Sequence, residues 1–144
     1  MVNPAQDWPD FTRATLLVGV DSSGNPVGVL VDSDGNLSAL IPLWLESGIN
    51  GFWPMECAAG NDAVALRKQY GNDIIIGGNI DKRAFLKGED VLRQEIMAKV
   101  PFLLEGGGYF PSLDHLVPPD VPFTMYQSFI NMLREVAGLE KISW

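Results

Sequence analysis

Carboxylate and amide side chains follow three short apolar runs of this sequence, and carboxylates at such positions bind cations or accept hydrogen bonds from polar ligands. In chain order these candidate binding residues are Asp32, Asp34, Asn36, Glu56, Asn79 and Asp81. If the apolar runs are parallel strands, their carboxyl ends meet at one edge of a sheet, where α/β proteins place their chemistry. Like charges held close together also raise one another's pKa. The spacing predicts one acidic binding site at that edge.

His115 is the only histidine, and it lies in a loop bounded by glycines and prolines. It has no apolar face to occupy there, although a lone histidine is ordinarily more often structural than catalytic. Cys57 is the only cysteine, so an internal disulfide and a thiolate metal cluster are excluded within one chain. No basic residue lies near it in sequence to lower its pKa, and we expect a small buried side chain rather than a nucleophile.

Each acidic residue also has a purely structural interpretation. Asp32 and Asp34 fit an acidic turn that caps the next helix, where the helix dipole stabilises negative charge. Asn79 and Asp81 fit a turn and cap equally well, and Glu56 fits a solvated loop. The sequence leaves these alternatives open, and it assigns no catalytic residue and no metal ligand.

Four βα units account for most of the chain. The predicted strands are Val27 to Val31, Gly51 to Trp53, Ile74 to Ile76 and Gly106 to Phe110. The consecutive isoleucines predict a strand buried on both faces. The fold class is therefore α/β with parallel strands, and residues 27–144 form its domain.

The predicted helices begin at Asn36, at Asn61 or Asp62, at Glu89 and near Pro122. Pro42 predicts a kink in the first helix or a late start, and Pro101 should disturb the third. The last helix should present its apolar face through Phe123, Tyr126, Ile130, Leu133 and Ala137. The five arginines fall mostly on predicted helices, in the outer layer of such a fold.

Residues 1–26 form an irregular lead-in. Pro4, Trp8 and Pro9 indicate extended chain, Leu16 to Val20 is a short strand candidate, and residues 21–25 are typical of a turn.

Three segments, DSDGNLSALIPLWLESGINGFWPMECAAGND, YGNDIIIGGNID and GGGYFPSLDHLVPPDVP, resemble the C-terminal half of the uroporphyrinogen decarboxylase superfamily, which also contains corrinoid-linked methyltransferases. The resemblance covers roughly residues 28 to 137, in order and with compatible spacing. Family members are complete (βα)8 barrels, so the resemblance implies half of a TIM barrel.

The decarboxylases of this family remove carboxylates from a tetrapyrrole without a cofactor, and the resemblance implies none here. His115 falls where they place a histidine that contacts substrate carboxylates, but their arginines and aspartate come from the N-terminal half. This chain alone is therefore not expected to decarboxylate. The methyltransferase alternative lacks its zinc ligands, because Asp32, Asp34 and a glycine among residues 106–108 stand in their place. A non-catalytic, truncated stand-alone domain is the other alternative.

Composition excludes several classes of partner. The 144 residues are 47% hydrophobic, enough for a core, and 18 acidic against 10 basic residues give a net charge of −8. Nucleic acids and anionic membranes demand a basic face, which such a chain lacks. No apolar run approaches the roughly 20 residues of a membrane span, and the first ten residues do not resemble a signal peptide. We expect a cytoplasmic protein.

Four βα units cannot close a barrel that requires eight. An isolated half-barrel would leave strand edges and one sheet face uncovered. The sequence therefore predicts a homo-oligomer, foremost a dimer, or a complementary N-terminal-half protein, with a polar or tetrapyrrole-like small molecule as ligand. Coverage of an edge by residues 1–27 is the remaining alternative.

Overall fold

The computed structural model describes residues 15–20, 22–23 and 26–144. Its strands are β1 (Thr15–Val20), β2 (Pro26–Asp32), β3 (Gly51–Trp53), β4 (Ile75–Gly77) and β5 (Tyr109–Phe110). The extended lead-in expected before residue 15 lies outside the described residues, as do residues 21, 24 and 25 of the expected turn. β2, β3 and β4 begin and end within one residue of the bounds that the sequence predicts. Of the predicted fourth strand, Gly106 to Phe110, only the last two residues are strand.

The five strands form a single sheet in the order β1-β2-β3-β4-β5. β1 pairs antiparallel with β2, with an irregularity between Gly19 and Val20. β2, β3, β4 and β5 are parallel, which confirms the predicted α/β class with parallel strands. β1 thus occupies the outer edge of β2 and belongs to the same sheet as the parallel strands.

Four α-helices follow the four parallel strands. They are α1 (Ile41–Glu46), α2 (Ala63–Tyr70), α3 (Glu89–Glu105) and α4 (Phe123–Val136), with 3-10 helices at Cys57–Ala59, Gly71–Asp73 and Lys82–Lys87. No helix in the described part of the chain is both long enough and apolar enough to cross a bilayer.

α1 begins later than a cap at Asn36 predicts. Pro42 lies in its first turn, where a missing N–H costs nothing, so the proline starts the helix instead of kinking it. The Asn36 side chain accepts a hydrogen bond from the Ser38 amide at 3.0 Å and stabilises the preceding turn. The predicted cap at Asp62 is confirmed, since its carboxylate accepts from the Ala65 amide at 3.0 Å.

α3 continues through Pro101, where the sequence predicted a disturbance. Proline removes one hydrogen bond to the residue four positions earlier, Met97. Both residues are exposed, so water can bond to the carbonyl left without a partner.

All four helices lie on one face of the sheet. Consecutive parallel strands in simple order, joined by right-handed crossovers, place every crossover helix on the same side. The strand residues Val31, Phe52, Ile76 and Tyr109 are at most 9% exposed and share one core with Leu92, Ile96 and other apolar residues of α2, α3 and α4.

The other face of the sheet carries the alternate residues, and no helix among residues 26–144 packs across it. Leu30, Trp53 and Ile75 are only partly buried there, and Phe110 is 38% exposed. We call this surface, defined by Leu30, Trp53, Ile75 and Phe110, the open face. The expectation that the isoleucine strand is covered on both faces is therefore met only for Ile74 and Ile76, which are fully buried.

Glycines let the side chains of the open face lie flat. A Cβ at Gly77 would fall 1.9 Å from the ring of Phe110, and one at Gly51 would fall 2.7 Å from Leu30 Cδ1. Phe110 and Leu30 therefore rest directly on the backbone of the neighbouring strands.

Arg67 is buried beside the amino ends of β4 and β5. The sequence predicts an exposed position in the outer layer of helices. Its guanidinium donates to the carbonyl oxygens of Gly71 at 2.6 Å, Ile74 at 2.9 Å and Gly108 at 2.8 Å. Burial lowers its pKa. The side chain thereby ties α2 to the segments that lead into β4 and β5.

The predicted apolar face of α4 is confirmed in part, because Tyr126, Ile130 and Leu133 pack against the core. Its most buried residues are Phe129 and Met132, whereas Phe123 is 64% exposed. The ring of Phe129 contacts that of Phe85 at a centroid distance of 5.3 Å. The contact with Phe85, distant in sequence, sets the rotation of the helix.

Candidate functional site

A cavity of about 210 Å³ opens at the carboxyl edge of the parallel strands. We call it the acidic pocket, and it is lined by Asp32, Asp34, Trp53, Pro54, His115 and Leu116. Asp32 ends β2, Trp53 ends β3, and His115 lies in the loop after β5. Three of the seven predicted binding residues, Asp32, Asp34 and His115, therefore line one pocket.

Strand register brings these residues together. Asp32 pairs with Trp53 in the parallel ladder, so their side chains share a face of the sheet. Pairing between the last two strands continues beyond β4 and β5 through a parallel bridge between Ile80 and Leu113, which carries the chain before His115 to the same edge. The Trp53 indole Nε1 donates to Ser112 Oγ at 3.3 Å, which links the end of β3 to the loop after β5.

The charge in the acidic pocket is uncompensated by any lysine or arginine in its lining. Burial raises the pKa of Asp32, the neighbouring Asp34 carboxylate raises it further, and the charge of His115 opposes the rise. A second negative charge is thus disfavoured here, and a positive charge would be stabilised.

An apolar groove of about 310 Å³ adjoins the acidic pocket, and Trp53, His115 and Leu116 line both. Its remaining lining residues come from the loop after β5 and from α4: Pro111, Ser112, Leu113, Val117, Tyr126, Phe129, Ile130 and Leu133. Leu116 is 77% exposed at the boundary between the two cavities. The site therefore has an acidic end and an apolar, aromatic end.

A second cluster of polar groups lies around Lys99. Its ammonium donates to the Asn79 carbonyl at 2.8 Å and to Glu95 Oε1 at 2.5 Å, and lies 3.4 Å from Cys57 Sγ. Burial alone would lower the pKa of Lys99, but the interactions with Glu95 and Cys57 together outweigh it, so that the pKa is raised. Burial raises the pKa of the Cys57 thiol to about 12, which keeps it protonated and poorly nucleophilic at neutral pH.

Asp114 is a buried carboxylate that the sequence analysis did not single out. It is 1% exposed, and its two oxygens accept from the backbone amides of Cys57 and Lys82, each at 2.9 Å. It therefore joins the loops that follow β3 and β4. Its only signal in the sequence was its place next to His115, because both amide partners lie far along the chain.

Asn79, a predicted binding residue, has a structural role near the carboxyl edge of the sheet. It is fully buried, with a positive φ of 61°. Its side chain accepts from the Ala63 amide at 3.1 Å and donates to the carbonyls of Met55 at 2.7 Å and Asn61 at 3.0 Å. All three bonds are internal and the side chain is fully buried, so it is not accessible to a ligand in the pocket. Asn36 likewise donates to the Ala59 carbonyl at 2.9 Å.

Glu56 and Asp81 do not line the acidic pocket, and each lies beside a cation. Glu56 Oε1 lies 3.9 Å from Lys82 Nζ. Asp81 caps the 3-10 helix at Lys82–Lys87 by accepting from the Arg83 amide, and it also binds the Arg83 guanidinium, which lowers its pKa. Both carboxylates thus interact with cations of the loop after β4, Lys82 and Arg83.

In the part of the chain that the structure describes, no group of three or more histidine, cysteine or acidic side chains is placed to hold a metal ion. Comparisons with family models, curated proteins and solved structures found no match to this chain.

Proposed function

We propose that this chain is a uroporphyrinogen decarboxylase-like half-barrel that binds a small molecule in the acidic pocket and completes that site by association with a second copy. The observation that carries the proposal is the position of Asp32, Asp34 and His115 in one pocket, at the carboxyl edge of the parallel strands. In parallel α/β folds that edge is the usual place for ligands.

The open face supports self-association. Leu30, Ile75 and Phe110 present apolar surface, whose burial is worth about 25 cal/mol per Å². The sheet is about 24 Å wide, since strands lie about 4.8 Å apart, and its three-residue strands β3 and β4 are about 10 Å long. The sheet alone offers on the order of 240 Å² per copy, so an interface of the roughly 1,200 Å² at which specific association begins must also include the exposed loop around Leu116 and the surface beside it.

The second copy packs face to face in this proposal, because both sheet edges disfavour closure into one barrel. β1 occupies the edge of β2. On the other side, the Phe110 carbonyl accepts from the Gly78 amide, so Phe110 is directed toward β4 and Pro111 toward the free edge. Proline has no N–H to offer an added strand.

Turnover requires groups that this chain does not place in the acidic pocket. Recognition of a tetrapyrrole carboxylate requires cationic partners, and the pocket lining contains no lysine or arginine. A complementary N-terminal-half protein would have to supply them. Alone or paired with itself, the chain binds without decarboxylating, which favours a non-catalytic, cytoplasmic binding protein as the second candidate function.

Native mass spectrometry of the purified protein tests the proposal. We expect a species of twice the 15.8 kDa chain mass that carries a small molecule. Asp34→Asn should lose the small molecule and retain the subunit number. Asp73→Asn is the matched control, because Asp73 is exposed in the segment before β4, away from the pocket. A single-chain species without a bound molecule would refute both parts.

A further inference from the structure

We infer that the ligand of this site is an organic cation with a flat apolar body. Its charged nitrogen lies beside Asp32 and Asp34, and its body lies in the apolar groove. This inference rests on the proposed function, because it names the class of ligand that the same site takes.

The two cavities act as one site because they share a wall. Trp53, His115 and Leu116 line both, so a molecule that fills the acidic pocket extends directly into the groove. The groove of about 310 Å³ lies at the lower end of the roughly 300 to 1,000 Å³ of small-molecule sites, and the acidic pocket adds about 210 Å³. A ligand of about the size of a substituted aromatic amine fits this space.

Charge decides the sign of the ligand. Neither lining contains lysine or arginine, and the nearby cations Lys82 and Arg83 are paired with Glu56 and Asp81. His115 shares the lining and can offset at most one of the two carboxylate charges, so the charges of Asp32 and Asp34 still leave the pocket negative. An anionic ligand meets repulsion from both carboxylates, whereas a cation relieves the repulsion between them.

The apolar part of the site decides the body of the ligand. Trp53 lines both cavities, and an indole face stabilises a nearby cation. Tyr126 and Phe129 lie further along the groove and offer flat surfaces to an aromatic or alicyclic body. A small hydrated metal cation would leave this half of the site unused, which is why we favour an amine with an apolar substituent.

Three probes of nearly equal shape test the charge requirement: 2-phenylethylammonium, 2-phenylethanol and 3-phenylpropionate. Isothermal titration calorimetry of the full chain should show about tenfold tighter binding of the ammonium than of the alcohol, a difference of about 1.4 kcal/mol. The propionate should bind more weakly than the alcohol. Added salt should weaken the ammonium only.

Variants assign the effect to residues. Asp32→Asn and Asp34→Asn should each weaken ammonium binding about fivefold to tenfold and leave the alcohol unchanged. Asp73→Asn, an exposed carboxylate outside both linings, should change neither. Leu116→Ser should weaken all three probes alike, because it alters the apolar wall and no charge.

The outcomes separate this inference from the proposed function. Equal or tighter binding of the propionate, or ammonium binding that is insensitive to both asparagine variants, overturns the cation assignment and leaves the site itself standing. A dimer that binds none of the probes overturns the assignment too, while self-association survives. A monomer that prefers the ammonium overturns self-association and supports the cation assignment.

Discussion

Asp32 and Asp81 both follow parallel strands of one sheet, yet their pKa values move in opposite directions. Burial and the Asp34 carboxylate raise the pKa of Asp32. The hydrogen bond from Arg83 lowers that of Asp81. The two carboxylates therefore differ because of their immediate partners, although both lie near strand ends. Asp32 remains available to a ligand, whereas Asp81 stabilises a loop.

This contrast predicts opposite effects of two conservative substitutions. The folded state holds the Asp32 proton more tightly than the unfolded chain does, so ionised Asp32 destabilises the fold at neutral pH. Asp32→Asn should raise the free energy of unfolding at pH 7 by less than about 1 kcal/mol, and the gain should vanish below the ordinary carboxyl pKa.

Asp81→Asn should do the reverse. The depressed pKa of Asp81 means that its stabilisation is present above the ordinary carboxyl pKa and is lost as pH falls through the folded value. The substitution should therefore lower stability at pH 7 and have little effect in acid. Urea unfolding of both variants between pH 3 and 7, against the wild type, checks the signs; effects of the same sign at pH 7 would contradict this account.

Asn79 is the residue whose loss should cost the fold most at this edge. Asn79→Ala leaves the Ala63 amide and two carbonyls buried without partners, and it places at a positive φ an alanine, which tolerates that conformation less well than asparagine does. The expected loss is about 3 kcal/mol by urea unfolding. Asn36→Ala, which removes hydrogen bonds at an exposed position, should cost about 1 kcal/mol or less. Similar losses of unfolding free energy for the two variants would show that the hydrogen bonds of Asn79 stabilise the fold no more than those of Asn36 do.

At the scale of elements, the turn after β4 is fixed by a close approach to the loop after β3. Gly78 and Gly35 have the same φ of 83°, but a Cβ at Gly78 would fall 2.2 Å from the Pro54 carbonyl oxygen, whereas one at Gly35 would meet nothing within 4 Å. The two glycines therefore form a matched pair that separates backbone strain from crowding.

Gly35→Ala should cost only the strain of a left-handed alanine, about 1 kcal/mol. Gly78→Ala should cost several kcal/mol more or prevent folding, because the obstructing atom is backbone and cannot rotate away. Thermal unfolding and circular dichroism of both variants measure the difference. Equal midpoints would mean that the Pro54 and Gly78 segments can separate at little cost.

The sequence predicts these elements well where the signal is local. Apolar runs and turn residues located β2, β3 and β4, and the Asp62 cap depends on residues three positions apart. Contacts between distant residues were missed. Arg67 binds a carbonyl forty-one positions away, the Asp114 carboxylate binds amides on two other loops, and Phe85 sets the rotation of α4.

The candidate site shows the same limit. The polar residues after the strands were identified from the rule that parallel strands share a carboxyl edge, and Asp32, Asp34 and His115 line one pocket there. The rule could not tell which carboxylates would be paired with Lys82 or Arg83, because those cations follow the same strands and compete with a ligand.

At the scale of the whole molecule, simple strand order explains why the chain should not act alone. The crossover helices of the described residues lie on one face, and in the proposed dimer a second copy covers the other. Ile75→Asp and Phe110→Asp place a charge on the open face and should lower the native mass to that of one chain. Met97→Asp introduces the same charge at a residue of α3 that is 53% exposed, and should leave the mass unchanged.

Sedimentation equilibrium of the wild-type chain, from about 1 to about 100 µM, tests the central claim most directly. It measures the mass of the species in solution, and a reversible dimer shows itself by a mass that rises with concentration. The account predicts a species of twice 15.8 kDa that persists at low micromolar concentration. A folded species of 15.8 kDa at every concentration would contradict it and would assign the acidic pocket to a single chain.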